Sequence, residues 1–197
     1  MRRLRLLALV PLLAAVAITG ACDHSSNSLA PEAPSQWSGS LFGGSASQSY
    51  TLLNQPLLGV LGDLKLSQLI GVDGGQISLL GATLIVPPGA VDSPTLFTLA
   101  VLPTGHVEVD LSATVQTLLG GLLGGSQQET FARPVSLTLS YARATNVTDP
   151  AKLTVVYAPG LLGYSDLEPI PSTVDVEHKT VTAQLPHFSR YLLASPN

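Results

Sequence analysis

Residues 135–141 read Val-Ser-Leu-Thr-Leu-Ser-Tyr, and residues 106–111 read His-Val-Glu-Val-Asp-Leu. In both stretches apolar and polar side chains alternate without interruption. Successive side chains of a β-strand point to opposite faces, so this period of two predicts strands with one face packed inward and the other in water. The two stretches therefore predict an antiparallel sheet that packs on a core.

The same pattern recurs along the second half of the chain. Further strands are predicted over residues 76–79, 82–86, 95–102, 152–158, 173–177, 180–185 and 189–194. Turn signals such as Pro103-Thr104-Gly105 and Asp149-Pro150 separate them at a spacing of about ten residues. Eight or nine short strands at this spacing predict an all-β fold, an antiparallel β-sandwich.

The beginning of the chain predicts export. Arg2, Arg3 and Arg5 precede an apolar run that ends in Gly20-Ala21-Cys22. A basic start, an apolar stretch and small residues before the cut are typical of a secretory signal peptide, which we predict over residues 1–21. An uncleaved membrane helix is an alternative, but it needs about 20 apolar residues, more than this run provides.

The end of this leader resembles a bacterial lipoprotein lipobox. The resemblance implies cleavage before Cys22 and attachment of lipid, including palmitate, to that cysteine. Several acyl chains on one residue anchor a protein stably, because each buried CH₂ contributes about 0.8 kcal/mol. We therefore expect an exported lipoprotein that is held to a membrane of the bacterial cell envelope through Cys22. An ordinary secreted protein with a chance cysteine is the other alternative.

Composition argues against several classes of partner and cofactor. Without residues 1–21 the chain has six Lys and Arg against 13 Asp and Glu, a net charge of about −7 that argues against nucleic acid as a partner. Cys22 is the only cysteine, so neither an intrachain disulfide nor a Cys/His zinc pattern can form. The Gly-rich residues 120–125 lack the Lys-Ser/Thr of a phosphate-binding loop. We expect no cofactor and no metal, and nothing identifies a small-molecule substrate.

The chain divides by composition into a tether, an apolar segment and the predicted sandwich. Residues 22–50 are predicted to form a flexible tether, because a stretch so rich in serine cannot bury enough apolar area to become ordered. Residues 51–71 are rich in leucine and glycine, as are residues 118–125. Each predicts a short helix or hairpin packed on the domain, or alternatively a patch that faces a membrane or a partner. The sandwich is predicted over residues 72–195.

Four segments of the predicted sandwich carry a family resemblance. They are Gly74-Gly75-Gln76-Ile77, Leu84-Ile85-Val86-Pro87-Pro88-Gly89-Ala90-Val91, Phe131-Ala132-Arg133-Pro134-Val135-Ser136-Leu137 and Leu185-Pro186-His187-Phe188-Ser189-Arg190-Tyr191. Together they resemble the ZU-five domain, a β-sandwich module of zonula-occludens scaffold proteins, netrin receptors and ankyrins. The resemblance implies a scaffold or interaction module rather than a metabolic enzyme.

Some members of that family cleave themselves within a His-Phe-Ser triplet, which residues 187–189 also form. In such a reaction the hydroxyl of Ser189 attacks the carbonyl carbon of Phe188, with His187 as general base, and water hydrolyses the resulting ester. Self-cleavage between Phe188 and Ser189 is therefore an alternative function. We expect instead that the triplet leads into the closing strand and that Phe188 is a packing residue.

His106, Glu108 and Asp110 share one face of a predicted strand, because side chains alternate. Imidazole and carboxylate groups could begin a metal site there, but we expect a solvated strand face, as for Asp175 and Glu177. The Gly-x-Ser-x-Gly segment of many hydrolases is absent from the sequence. The sequence therefore predicts a non-enzymatic, lipid-anchored envelope protein whose β-sandwich binds an envelope protein or has a structural role.

Overall fold

The chain folds into two antiparallel β-sheets that pack face to face, which confirms the predicted all-β sandwich. The computed structural model describes residues 49–116, 125–128, 130–159 and 163–197. The strands in these ranges are β1 (Tyr50–Leu52), β2 (Leu64–Ile70), β3 (Gly75–Leu79), β4 (Ala82–Val86), β5 (Thr95–Val101), β6 (Glu108–Val115), β7 (Val135–Ser140), β8 (Thr154–Tyr157), β9 (Glu168–Ile170), β10 (Ser172–Asp175), β11 (Thr180–Leu185) and β12 (Arg190–Pro196). A short helix, α1 (Pro56–Val60), and a 3-10 turn at Pro150–Lys152 complete the described elements.

The larger sheet has the strand order β2-β5-β6-β12-β8-β9. Strand β1 also pairs with β12, so that Leu52 lies opposite Ala194 while Glu108 of β6 lies opposite Leu192. The smaller sheet has the order β10-β11-β7-β4-β3, and every strand pair of both sheets is antiparallel. Strands β9 and β10 follow each other closely but belong to different sheets, which joins the two layers along one side.

The core lies between the sheets and follows the alternation that the sequence predicts. In β7 the side chains of Val135, Leu137 and Leu139 are buried, while those between them are partly exposed. Strand β5 repeats the pattern, with Phe97 among its buried residues. The ring of Phe97 also contacts the rings of Phe131 and Phe188, with centroids 6.0 and 5.7 Å away.

The expectation of a wet outer face is wrong for the middle of the larger sheet. All four residues from Tyr191 to Ala194 in β12 are fully buried, although their side chains point alternately to both faces. A second apolar cluster covers this outer face; its buried members are Val156, Ala158, Leu192 and Ala194, with Tyr50, Leu52 and Leu167 packed against them. Strand β12 is therefore an interior strand on both sides.

The separate apolar segment predicted over residues 51–71 is instead part of the sandwich. Strand β2 pairs with β5 along all seven of its residues, and β1 pairs with β12. The fully buried Leu53 and the buried Leu58 of α1 belong to the main core. Among the described residues the sandwich therefore includes the segment from Tyr50 to residue 71, because its apolar side chains contribute to the core.

Several predictions fall on residues that the structure does not describe. The signal peptide over residues 1–21, the lipidation site Cys22, most of the predicted tether and residues 118–124 of the second Leu/Gly-rich stretch lie outside the described residues. In the described ranges, no helix is both long and apolar enough to cross a membrane.

We expect substitution of Leu137 by alanine to destabilise the protein much more than the same change at Leu69. Leu137 is 0 % exposed at the centre of the smaller sheet, whereas Leu69 of β2 is 57 % exposed. Truncation of a buried leucine lowers the free energy of unfolding by about 2–5 kcal/mol, and an exposed substitution changes it by about 0.5 kcal/mol. Urea unfolding of both variants measures the difference, and equal losses would contradict the described core.

Candidate functional site

A charged cluster forms on the outer face of the larger sheet. Strands β6 and β12 pair with Asp110 opposite Arg190 and Glu108 opposite Leu192. Directly opposed residues of antiparallel strands lie on the same face, so the two carboxylates and the guanidinium share one surface. The Nε atom of Arg190 lies 3.5 Å from Oε1 of Glu108. The topology thus unites Glu108 and Asp110 with a cation from the closing strand.

Glu108 is completely buried (0 % exposed), so the predicted solvated strand face is wrong at this position. Its Oε2 atom accepts a hydrogen bond of 2.9 Å from the hydroxyl of Tyr164 and one of 2.7 Å from that of Thr104. Tyr164 comes from the connection between β8 and β9. Burial of a carboxylate is costly unless donors and a counter-charge replace the lost water, and here two hydroxyls and Arg190 do so.

The same cluster holds the segment around Tyr164 on the sheet. The Nη2 atom of Arg190 donates a 3.0 Å hydrogen bond to the carbonyl of Gly163, and its guanidinium carbon lies 5.7 Å from the centroid of the Tyr164 ring. The ring of His106 packs at right angles to Tyr164, with 5.3 Å between centroids. These contacts add cation–π and edge-to-face attraction to the hydrogen bonds.

Asp110 and His106 do not complete a metal site. In the described ranges, no group of three or more His, Cys, Asp and Glu side chains is arranged to hold a metal ion. Asp110 is exposed, yet partial burial raises the pKa of its carboxyl, and Glu108 adds to this while Arg190 opposes it. The cluster therefore contributes internal charge pairing rather than an open set of ligands.

Asp175 and Glu177 are exposed, as predicted, but only Asp175 lies on the strand, since β10 ends there and Glu177 belongs to the following turn. The carboxylate of Asp175 accepts a 2.9 Å hydrogen bond from the backbone N–H of His178 and lies 2.7 Å from its Nδ1 atom. These hydrogen bonds lower the pKa of the Asp175 carboxyl. Asp175 and His178 thus stabilise the turn between β10 and β11.

The predicted self-cleavage residues lie just before β12, where aromatic contacts surround them. The buried hydroxyl of Tyr191 donates a 2.5 Å hydrogen bond to the carbonyl of His187 and lies 3.3 Å from its Nδ1 atom. The ring of Tyr157 packs edge-on against His187, with 4.7 Å between centroids. Burial raises the pKa of Tyr191, so its hydroxyl remains a donor throughout the ordinary pH range.

Phe188 is a packing residue, since its ring lies 4.7 Å from that of Phe131 and 5.7 Å from that of Phe97. The carbonyl of Ser189 accepts a 3.0 Å hydrogen bond from the backbone of Leu111. Within the described part of the chain, the Ser189 hydroxyl forms no hydrogen bond with His187. No residue of the triplet has a positive φ angle. Among the described non-glycine residues, only Leu80, Asp166 and Lys179 do. The described contacts of Phe188 and Ser189 are therefore ring packing and a backbone hydrogen bond.

Sequence reasoning missed Arg190, Tyr164 and Thr104 as partners of Glu108. Arg190 follows the His-Phe-Ser triplet directly, and its position opposite Asp110 depends on the register between β6 and β12. No protein-family model and no curated protein sequence matches this chain. The resemblance to the ZU-five domain therefore stays a prediction from the quoted segments.

We expect substitution of Glu108 by glutamine to destabilise the fold while the same change at Glu177 does not. Glutamine keeps the size of the side chain but removes the charge that faces Arg190. Loss of hydrogen bonds to a charged group lowers the free energy of unfolding by about 1.5–3 kcal/mol, whereas an exposed change such as Glu177→Gln alters it by about 0.5 kcal/mol. Denaturant unfolding measures both, and an unchanged Glu108→Gln protein would refute the cluster as described.

We expect the peptide bond between Phe188 and Ser189 to stay intact. The Tyr191 hydroxyl and the Tyr157 ring engage His187, and the hydrogen bonds of the described residues include none from the Ser189 hydroxyl to a base. Mass spectrometry of the denatured protein should give one species that retains residues 189–197, both for the natural chain and for Ser189→Ala. A missing C-terminal fragment that Ser189→Ala restores would establish self-cleavage instead.

Proposed function

We propose that this chain is a lipid-anchored protein of the bacterial cell envelope whose β-sandwich is an interaction or structural module without catalytic turnover. The observation that carries the proposal is the position of Cys22, which directly follows a basic and apolar leader and Gly20-Ala21. A chain that is cut there and acylated on its first residue is exported and membrane-bound. The proposed anchor requires no membrane-spanning helix.

The composition of the residues between Cys22 and Ser49 supports a tether between the anchor and the sandwich. This stretch combines many serines with Pro31, Pro34 and several glycines. A flexible coil of about 27 residues spans roughly 30 Å. Such a span is sufficient to hold a small domain clear of lipid headgroups while keeping it at the membrane surface.

The surface around β2 supports a role in binding an envelope protein. Strand β2 is at the edge of the larger sheet, and six of its seven residues are exposed. The large exposed apolar side chains of this region are Leu57, Val60, Leu64, Leu66, Leu69 and Val72. Exposed apolar side chains along the edge strand of a sheet are typical of protein interaction sites.

The resemblance to the ZU-five domain also supports an interaction role, since that module belongs to scaffold proteins. Self-cleavage between Phe188 and Ser189 is the alternative function that the same resemblance suggests. The contacts of His187 with Tyr191 and Tyr157 favour the structural role of this segment. A charged cluster that pairs internally, as Glu108 and Arg190 do, likewise favours stability over catalysis.

We expect replacement of Cys22 by serine to abolish both lipidation and membrane retention. In a bacterial host, the natural chain should incorporate radiolabelled palmitate and sediment with membranes, because the acyl chains are attached to the cysteine sulfur. Cys22→Ser should do neither, whereas Ser25→Ala, a control three residues along the same tether, should behave like the natural chain. Membrane retention and labelling of Cys22→Ser would overturn the proposed anchor.

A further inference from the structure

A cavity of about 250 Å³ opens at one end of the sandwich, and none of the described residues that line it belongs to the charged cluster or to the His-Phe-Ser triplet. Its lining residues are Gln55, Leu80, Gly81, Ser140, Ala142 and Arg143. Three connections build its walls: the residues before α1, the turn between β3 and β4, and the residues that follow β7. The cavity is slightly smaller than typical sites for drug-sized molecules, which begin at about 300 Å³.

Backbone hydrogen bonds hold these three walls in place. The N–H of Ser140 donates a 2.8 Å bond to the carbonyl of Gly81, and that of Gln55 donates a 2.7 Å bond to the carbonyl of Gly105. The N–H of Thr145 donates a 3.0 Å bond to the carbonyl of Asn54, next to Gln55. The cavity is therefore preformed, and a ligand would not have to order it.

The side chain of Gln55 is the first sign that this cavity takes a polar ligand. Gln55 is only 3 % exposed, yet in the described part of the chain its side-chain amide forms no hydrogen bond. Its backbone is fully engaged, with the carbonyl accepting a 3.0 Å bond from Leu58. Gln55 lines the cavity, so a ligand there can accept the N–H hydrogen bonds of its amide, which no described residue accepts.

The turn at Leu80 and Gly81 is the second sign, because its backbone is strained. Both residues have positive φ angles, 49° and 92°, as in a two-residue type I′ hairpin turn that normally contains Asn-Gly or Asp-Gly. Gly81 is required, since a Cβ atom there would lie 3.2 Å from that of Ser140. Leu80 is an unusual residue at a positive φ angle, which Asn, Asp and Gly adopt more readily, and it lines the cavity. Strained residues of this kind cluster at binding sites.

Charge indicates the kind of ligand. Arg143 is the only charged residue among the described residues that line the cavity, and within the same ranges its guanidinium has no hydrogen bond or ion pair. This single cation stands out on a chain whose predicted mature form has a net charge of about −7. Leu80 and Ala142 provide apolar walls. The Ser140 hydroxyl is engaged within the protein, since it donates a 3.4 Å hydrogen bond to the carbonyl of Lys179 and accepts one of 3.3 Å from the N–H of Ala142. The lining therefore matches one negative charge attached to a small apolar group.

We propose that this cavity binds an organic carboxylate with a small apolar substituent. The planar guanidinium of Arg143 pairs with both carboxylate oxygens, and the Gln55 amide donates to the same group. Leu80 and Ala142 contact the apolar substituent. Either a free small acid or the C-terminal carboxylate of a peptide presents this chemistry. This binding function is independent of the proposed anchor at Cys22.

Calorimetric titration of the full chain in detergent tests the proposal with three probes. Isobutyrate represents a free acid, N-acetylalanine a peptide C-terminus, and N-acetylalanine amide an uncharged control of the same size. We expect saturable binding of at least one acid with a Kd of about 1 mM or tighter, and none of the amide. Binding of isobutyrate would identify a free acid as the source, and preference for N-acetylalanine would identify a peptide end.

Two substitutions test whether the binding occurs in this cavity. Arg143→Gln should weaken the binding of the acid about tenfold or more, because a charge-assisted pair is lost. Arg133→Gln is the matched control, because Arg133 precedes the start of β7 whereas the cavity lies at its end. The Arg133→Gln protein should bind the acid as the natural chain does. Gln55→Met, which removes the amide at similar size, should also weaken binding. Absence of binding by either acid, equal binding of the amide, or an unaffected Arg143→Gln protein would each overturn the proposal.

Discussion

The burial of β12 on both faces is the constraint on which the rest of the structure depends. This strand pairs with β6 and β1 on one side and with β8 on the other, so it joins the first described strand of the chain to the middle of the larger sheet. Tyr191 and Leu193 belong to the main core, and Leu192 and Ala194 to the outer apolar cluster. Both sides of the strand must therefore be covered before the sheet is complete.

The double burial of β12 also explains the charged cluster and the geometry of the His-Phe-Ser triplet. The connection that contains Tyr164 and Leu167 contributes cover to the outer face, and the Tyr164 hydroxyl there reaches Glu108. Arg190, the first residue of β12, holds the same connection through the carbonyl of Gly163. On the inner face, the Tyr191 hydroxyl bonds to His187 and fixes the turn before the strand. The charged cluster and the His-Phe-Ser triplet thus both contribute to the packing of β12.

Sequence pattern was sufficient for the fold class and for most strands, because alternation survives wherever one face of a strand is solvated. Strands β4, β7 and β11 lie at or next to their predicted positions. The pattern failed where this condition does not hold. Glu108 occupies an outward-facing position, as the alternation predicts, but Tyr164, which is distant in sequence, contributes to its burial. Strand β9 has only three residues, with Pro169 at its centre, and so gives no alternating pattern. Strand β2 was missed because its leucines are exposed at a sheet edge. The cavity at Gln55 was missed because three connections that are separate in sequence form it.

The functional account joins a sequence-based anchor at Cys22 to a sandwich with an apolar edge and a small cavity, and the part that concerns the sandwich requires that β12 closes it. Native-state hydrogen exchange on the full chain tests this requirement most directly. We predict that the amide hydrogens of residues 191–194 exchange only through global unfolding and are among the slowest in the protein, whereas the outward-facing amides of the edge strand β2 exchange through local opening. Exchange in residues 191–194 as fast as at that edge would contradict the account.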